Sequence, residues 1–312
     1  AVHFPFMTQM ATPATIAITH SIFNITATLV WLPFSDLLVK LACLTIRDTE
    51  EEQVSTDDQE FLILESRFLE KPAFAVEQGR NAARRMEQDS RKALRIALDL
   101  VYNYTDDGAK CVEKMESKVD RYEDELGTYL VKLNNKDLSE RDSHSVSMML
   151  HCIGDFERIS DHAVNIMESA QELHDKKISF SLEARNELQV LISAVDRIVD
   201  TAYQIFDKKD LNLVNDVEPL EEIVDELSKE MKRRHINRLR SGECTIEMGF
   251  ILTDLITSLE RIADHCSNIS VCVTQIKENL YDTHSHLDAI KNEADQVYIH
   301  RLDEFREEYV LP

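Results

Sequence analysis

Beyond residue 75, apolar positions recur at spacings of three and four along almost the whole chain, the period of an amphipathic helix. The pattern predicts helices over 75–104, 109–133, 139–174, 182–208, 219–239 and 245–281. Polar breaks separate them: Thr105-Asp106-Asp107-Gly108, Asn134-Asn135 and Ser241-Gly242. Pro219 suits the first turn of its helix. Short connections between long helices make antiparallel neighbours, so residues 73–178 and 179–282 should form two tandem antiparallel three-helix bundles. The last stretch, 283–312, reads as a charged helix that packs back or extends outward. Gly and Pro number only six each, and strands need turns more often than long helices do. The predicted class is all-α.

The opening of the chain is a different material. Residues 1–35 contain no Asp, Glu, Lys or Arg, and about twenty mostly apolar residues suffice to cross a bilayer. Residues 1–47 are therefore expected to form a membrane segment, a last transmembrane helix or a hairpin completed by 37–46. The competing reading is a buried soluble helix. His20, Asn24 and many threonines sit inside the run, so it would face protein or a water-filled path as well as lipid. Lys40 and Arg47 place the remainder of the chain on the cytoplasmic side. The expected localisation is thus the cell membrane, with residues after about 48 in the cytoplasm. Residues 48–72, acidic and patternless at their start, read as a linker.

Charge and cysteine usage narrow the chemistry. A net charge of −23 opposes nucleic-acid binding, which demands an excess of Lys and Arg. It is compatible with a bound cation. The six cysteines are scattered without a CxxC pair, which reads as reduced core thiols in a cytosolic compartment.

The most specific signal is a repeat. Glu157-Arg158-Ile159-Ser160-Asp161-His162-Ala163-Val164-Asn165-Ile166 returns 103 residues later as Glu260-Arg261-Ile262-Ala263-Asp264-His265-Cys266-Ser267-Asn268-Ile269. Seven of ten positions are identical, so an internal duplication is the economical account. Glu, Asp and Asn at four-residue spacing share one side of a helix. At 100° per residue, Met149, Ile153, Phe156 and Ser160 share an arc with Glu157, and Leu252, Ile256, Leu259 and Ala263 with Glu260. A carboxylate beside the packing stripe is costly unless paired or bound to a cation. Glu157, Asp161, Glu260 and Asp264 are therefore candidate metal ligands, with Asn165 and Asn268 behind them. The plainer alternative is an ordinary i, i+3 ion pair, Arg158 with Asp161 and Arg261 with Asp264. The middle helices offer further acidic pairs, Asp120 with Asp124 and Glu221 with Asp225, off the apolar stripe. His162 and His265 point elsewhere and read as core or supporting residues.

The motif Glu-Arg-Ile-x-Asp-His-x-x-Asn-Ile, twice, on paired three-helix units, resembles the PhoU-like family. That resemblance implies acidic pairs on facing helices holding metal clusters: Glu157, Asp161, Glu260 and Asp264, faced by Asp120, Asp124, Glu221 and Asp225. The metal would be a divalent or trivalent ion, Fe, Zn, Mn or Mg. Ser258 stands where Asp155 stands in the first copy, so the two sites need not match. Leu69-Glu70-Lys71-Pro72-Ala73-Phe74-Ala75-Val76-Glu77-Gln78 is similar to the entry of the PhoU-like tail of bacterial sodium/phosphate cotransporters. His20, Phe23 and Asn24 resemble an element of a late transmembrane helix there. The implied function is the C-terminal fragment of a sodium/phosphate cotransporter, with a cytoplasmic metal-binding regulatory domain. The alternative is a stand-alone PhoU-type regulator of phosphate uptake. Implied partners are the membrane, the remaining transmembrane domain and phosphate-signalling proteins, and a homo-oligomer is compatible. No catalytic motif is visible: no Glu has His three residues on, the pair that di-iron bundles need.

Overall fold

The computed structural model describes residues 13–31, 60–208, 210–278 and 287–312. The chain separates into two units, Ala1–Gln59 and Glu60–Pro312. In the first, α1 spans Pro13–Trp31, and seven of its nineteen residues are Thr, Ser, His or Asn. Three hydroxyls turn back on the helix: Ser21 donates to the Ala17 carbonyl at 2.9 Å, Thr26 to Ile22 at 2.7 Å and Thr28 to Asn24 at 2.8 Å. Among the described residues no helix is long and apolar enough to cross a membrane. The expected transmembrane helix is corrected on that ground, because the polar positions dilute the apolar run. The expected placement in the cell membrane, with a cytoplasmic remainder, falls with it. The proposed hairpin at 37–46 and the linker up to 59 lie outside the described residues.

The second unit is all-helical where described. Residues 60–72 are core-forming rather than linker: two 3-10 turns, Leu62–Leu64 and Ser66–Glu70, bury Leu64 and Leu69. Phe61 packs its ring 4.5 Å from that of Tyr122. Next come α2 (Pro72–Leu100), α3 (Asp106–Asn134) and α4 (Glu140–Lys176) as one three-helix layer. The second comprises α5 (Leu182–Lys208), α6 (Val214–Ser241) and α7 (Ile246–Glu278). The caps explain the boundaries. Thr105 Oγ1 accepts from the Gly108 N–H at 3.2 Å, and Ser139 Oγ accepts from Asp142 at 3.2 Å, each satisfying an otherwise orphan first-turn donor. At the far end of α6, Gly242 takes φ 77°, and the Glu243 N–H closes on Arg238 at 2.9 Å. Pro219 does not open its helix as the pattern predicts. Helix α6 starts at Val214, and Pro219 occupies its second turn, at the cost of one backbone hydrogen bond.

The two motif helices, α4 and α7, pack on each other at the centre, joining the repeats. Their stripes behave as the wheel predicts: Met149, Ile153, Phe156, Ser160, Leu252, Ile256, Leu259 and Ala263 are all buried. Phe156 reaches into the other repeat, edge-on to Tyr203 at 5.4 Å and Phe206 at 4.9 Å. Outside this junction, α2 and α5 are tied by a ladder of Arg84 with Asp207 (2.6 Å), Arg91 with Asp200, and Arg95 with Asp196 (3.2 Å). The C-terminal helix α8 (Leu287–Glu308) packs back on α6 through Leu302, Phe305 and Tyr309. Arg301 pairs with Asp216 at 2.9 Å, and Arg306 with Glu226.

Candidate functional site

Each motif helix packs its apolar stripe inward and turns its acids toward the middle helix of its own repeat. The result is two acidic seams, α3 with α4 and α6 with α7. The duplicated sequence does not make them alike.

In the first seam, Glu157 and Asp161 lie on α4 with side chains 19% and 33% exposed. Burial pushes the Glu157 carboxyl up to about 7, and Asp161 beside it pushes the same way, only partly offset by Arg158. Arg158 sits at the rim, 3.3 Å from Asp161. Across the seam the α3 acids differ from those expected. Asp120 and Asp124 are exposed, whereas Glu116 and Glu123 are half-buried. The Glu116 carboxyl is raised by burial and by the charges of Asp161 and Asp120, and Glu123 contributes to the rise at Glu157. Glu116 and Glu123 share one face at heptad spacing, a signal present in the sequence but outranked there by the i, i+4 pairs.

The second seam carries its own cation. Lys232 Nζ lies 2.8 Å from Glu260 Oε2, neutralising the residue that corresponds to Glu157. Lys232 falls seven residues after Asp225, on the same face of α6. Asp225 pairs with Lys229 at 3.0 Å and Asp264 with Arg261 at 3.1 Å. Glu221 retains the strain: burial, then Asp225, Glu218 and Asp264, push it up to about 7. The plain i, i+3 pairs from the sequence, Arg158–Asp161 and Arg261–Asp264, thus both form.

The asparagines and histidines of the motif face the α4–α7 junction instead. The rings of His162 and His265 meet at 5.9 Å, where burial and the neighbouring His265 lower the pKa of His162. Asp155 accepts from the His265 ring at 2.9 Å and from Asn268 at 3.4 Å, while Asn165 bonds His162 at 3.4 Å. Ser258, standing where Asp155 would recur, cannot mirror this contact. Asn165 therefore bonds a motif histidine, and Asn268 bonds the aspartate that holds the other.

As a metal site the two seams differ in donor chemistry. In the first, burial raises the Glu157 and Glu116 carboxyls and Arg158 stays at the rim, 3.4 Å from Glu157, which leaves a seam that suits a hard cation. The second has a lysine in place. Among the described residues no group of three or more His, Cys, Asp or Glu side chains converges into a ligand shell.

Known proteins place this arrangement. The PhoU domain profile matches residues 83–170 and 188–273, one stretch in each repeat. The phosphate-specific transport system accessory protein PhoU homolog 1 of Thermotoga maritima is 30% identical over 115 residues, 37% of this chain and 49% of that protein. The PhoU homolog of Deinococcus radiodurans is 23% identical over 130 residues, 42% of this chain and 60% of that protein. The chain thus aligns with about half of the first relative's length. PhoU from Pseudomonas aeruginosa shares the fold at a TM-score of 0.61 and 21% identity, covering 66% of this chain and 98% of that one. The phosphate transport system regulatory protein PhoU from Streptococcus pneumoniae does so at 0.60 and 14%, covering 68% and 100%. These relatives are PhoU proteins, and they overturn the expectation of a sodium/phosphate cotransporter fragment. With both repeats matched over more than half its length, the chain belongs to the PhoU domain family.

Proposed function

We propose that the chain is a PhoU-type accessory regulator of a phosphate transport system, acting by binding and not by catalysis. The observation that carries this reading is the family match to both repeats, at helices whose acidic seams survive the duplication. Its partners are proteins of phosphate transport and signalling. The test is phosphate uptake in bacterial cells lacking their own PhoU. Expression of the full chain lowers radiolabelled phosphate uptake toward that of the parent strain, and uptake unchanged by a well-expressed chain overturns the reading.

Within that function the first seam is the cation site. Glu157 and Asp161, faced by Glu116 and Glu123, would have to draw together around one hard divalent ion, which would supply positive charge where burial disfavours carboxylates. Lys232 performs that service in the second seam. Titration with Mn²⁺ at pH 7.5 should therefore give one site per chain, lost on joint Glu157→Gln and Asp161→Asn substitution and kept on Glu260→Gln. Binding should weaken from pH 8 to pH 6, because Glu157, titrating at about 7, must release its proton. Two equal sites, or loss with Glu260→Gln alone, would refute the assignment.

A further inference from the structure

Away from both seams, a cavity of about 420 Å³ opens where the chain passes from the first repeat to the second. It lies between the last turns of α2 and α4, the short connections leaving each, and the first turns of α5. Tyr102, Tyr104, His174, Lys177, Phe180 and Arg185 line it. A volume of this order accommodates a small organic ligand.

The lining carries two kinds of group. The Tyr104 ring lies stacked on the His174 imidazole, centroids 4.6 Å apart and planes 29° apart. Asp106 and Asp175 lie near the Tyr104 hydroxyl. The Arg185 guanidinium sits over the Tyr102 ring, 5.4 Å from its centroid. The Tyr102 hydroxyl oxygen is buried and has no hydrogen-bond partner in the protein. A buried hydroxyl left unpartnered costs free energy that a ligand can recover. Burial also raises the Tyr102 pKa, keeping the phenol protonated as a donor.

Lys177 adds a second cation and a second anomaly. Among the described residues it alone, apart from glycine, holds a positive φ, 54°. Its left-handed backbone ends α4, with its N–H on the His174 carbonyl at 3.1 Å. Glycine or asparagine is the usual choice for such a cap, so a lysine here asks for a reason beyond the backbone. Neither Lys177 nor Arg185 forms an ion pair with a carboxylate among the described residues, in a chain with 58 acids and 35 Lys and Arg.

An aromatic platform, two cations without a carboxylate partner among the described residues and a buried donor match one ligand class. We propose that this cavity binds a mononucleotide, its base on the Tyr104–His174 stack and its phosphate against Arg185 and Lys177. Bases stack on aromatic faces whatever their identity, and guanidinium with ammonium suits a phosphate. Asp106 and Asp175 favour a base carrying an exocyclic amine, so AMP is the first probe. Occupancy would pin residues 178–181, the connection between the repeats, and so report nucleotide status across the α4–α7 junction.

The experiment is calorimetric titration of the full chain with AMP in EDTA, which silences any cation site, with adenosine and orthophosphate titrated separately. AMP is expected to bind at least tenfold more tightly than either part. Arg185→Gln and Lys177→Gly should each weaken AMP at least tenfold. Glycine is chosen at 177 because it keeps the left-handed cap, and unchanged thermal melts of both variants show that they fold. No AMP binding at millimolar concentration overturns the proposal. So do binding untouched by both substitutions, and orthophosphate binding as tight as AMP. The regulator reading stands or falls separately on phosphate uptake.

Discussion

Phe156→Ala is expected to lower the stability of the helical unit by about 4 kcal/mol, the middle of the range for a buried aromatic truncated to alanine. The reason is position as much as size. Phe156 is fully buried on α4, yet its two ring contacts, Tyr203 and Phe206, belong to α5 of the other repeat. Beside them the Ser90 hydroxyl donates to the Phe156 carbonyl at 2.8 Å and lies 3.3 Å from the Tyr203 hydroxyl, so α2, α4 and α5 meet at one point. A cavity there cannot collapse without moving one repeat against the other. Thermal denaturation followed by circular dichroism should show a midpoint about 10 °C lower, given the scaling for a unit of this size. Phe156→Leu, which keeps most of the volume, should cost no more than about 1.5 kcal/mol. If the alanine variant melts within a degree of the parent, the repeats are not joined through this ring.

The same helix shows what a sequence makes legible. Counting 100° per residue places Phe156, Ile153 and Ser160 inside and Glu157 at the margin, and all four fall there, because a helix's own buried stripe is a local property. The rotation of the facing helix is not local. Asp120 and Asp124 make a good i, i+4 pair in sequence, yet α3 turns them to solvent and presents Glu116 and Glu123 to the seam. That rotation is set by Tyr122, Leu126 and Tyr129 seeking the core. Lys232 is invisible in the sequence for a related reason. Its role depends on which α7 residue it meets, a contact between residues 28 apart on different helices. The contact of Asp155 with His265 spans 110 residues and exists only because α4 and α7 pack together. Identity in the repeat thus foretells two similar folds, while the difference in charge between the seams comes from unlike residues outside it. The opening segment misleads differently: uncharged is not the same as apolar, and the hydroxyls of α1 bond to its own backbone.

Glu87→Gln should stabilise the protein at pH 8 by up to about 3 kcal/mol and do almost nothing at pH 4. Glu87 lies on α2, 6% exposed, and burial pushes its carboxyl up to about 7. The charge of Asp207 pushes the same way, and Arg91 and Arg84 only partly offset the rise. In the unfolded chain the same group ionises at about 4.5. Between those two values the folded state holds a proton that the unfolded state has lost, so stability falls as pH rises from about 4.5 to about 7 and then levels. Glutamine keeps the shape and cannot ionise, so it removes that slope. Glu157 and Glu221, both raised to about 7, lean in the same direction. The parent chain in EDTA should accordingly be more stable to urea at pH 5.5 than at pH 8, with Glu87→Gln closing much of the gap. Adding Mn²⁺ should recover part of the remainder at pH 8 through the first seam, because a cation bound only to the folded state offsets the ionised Glu157. A parent chain whose stability rises from pH 5.5 to pH 8 as steeply as an ordinary carboxylate-paired protein would show that Glu87 is not desolvated in the folded chain.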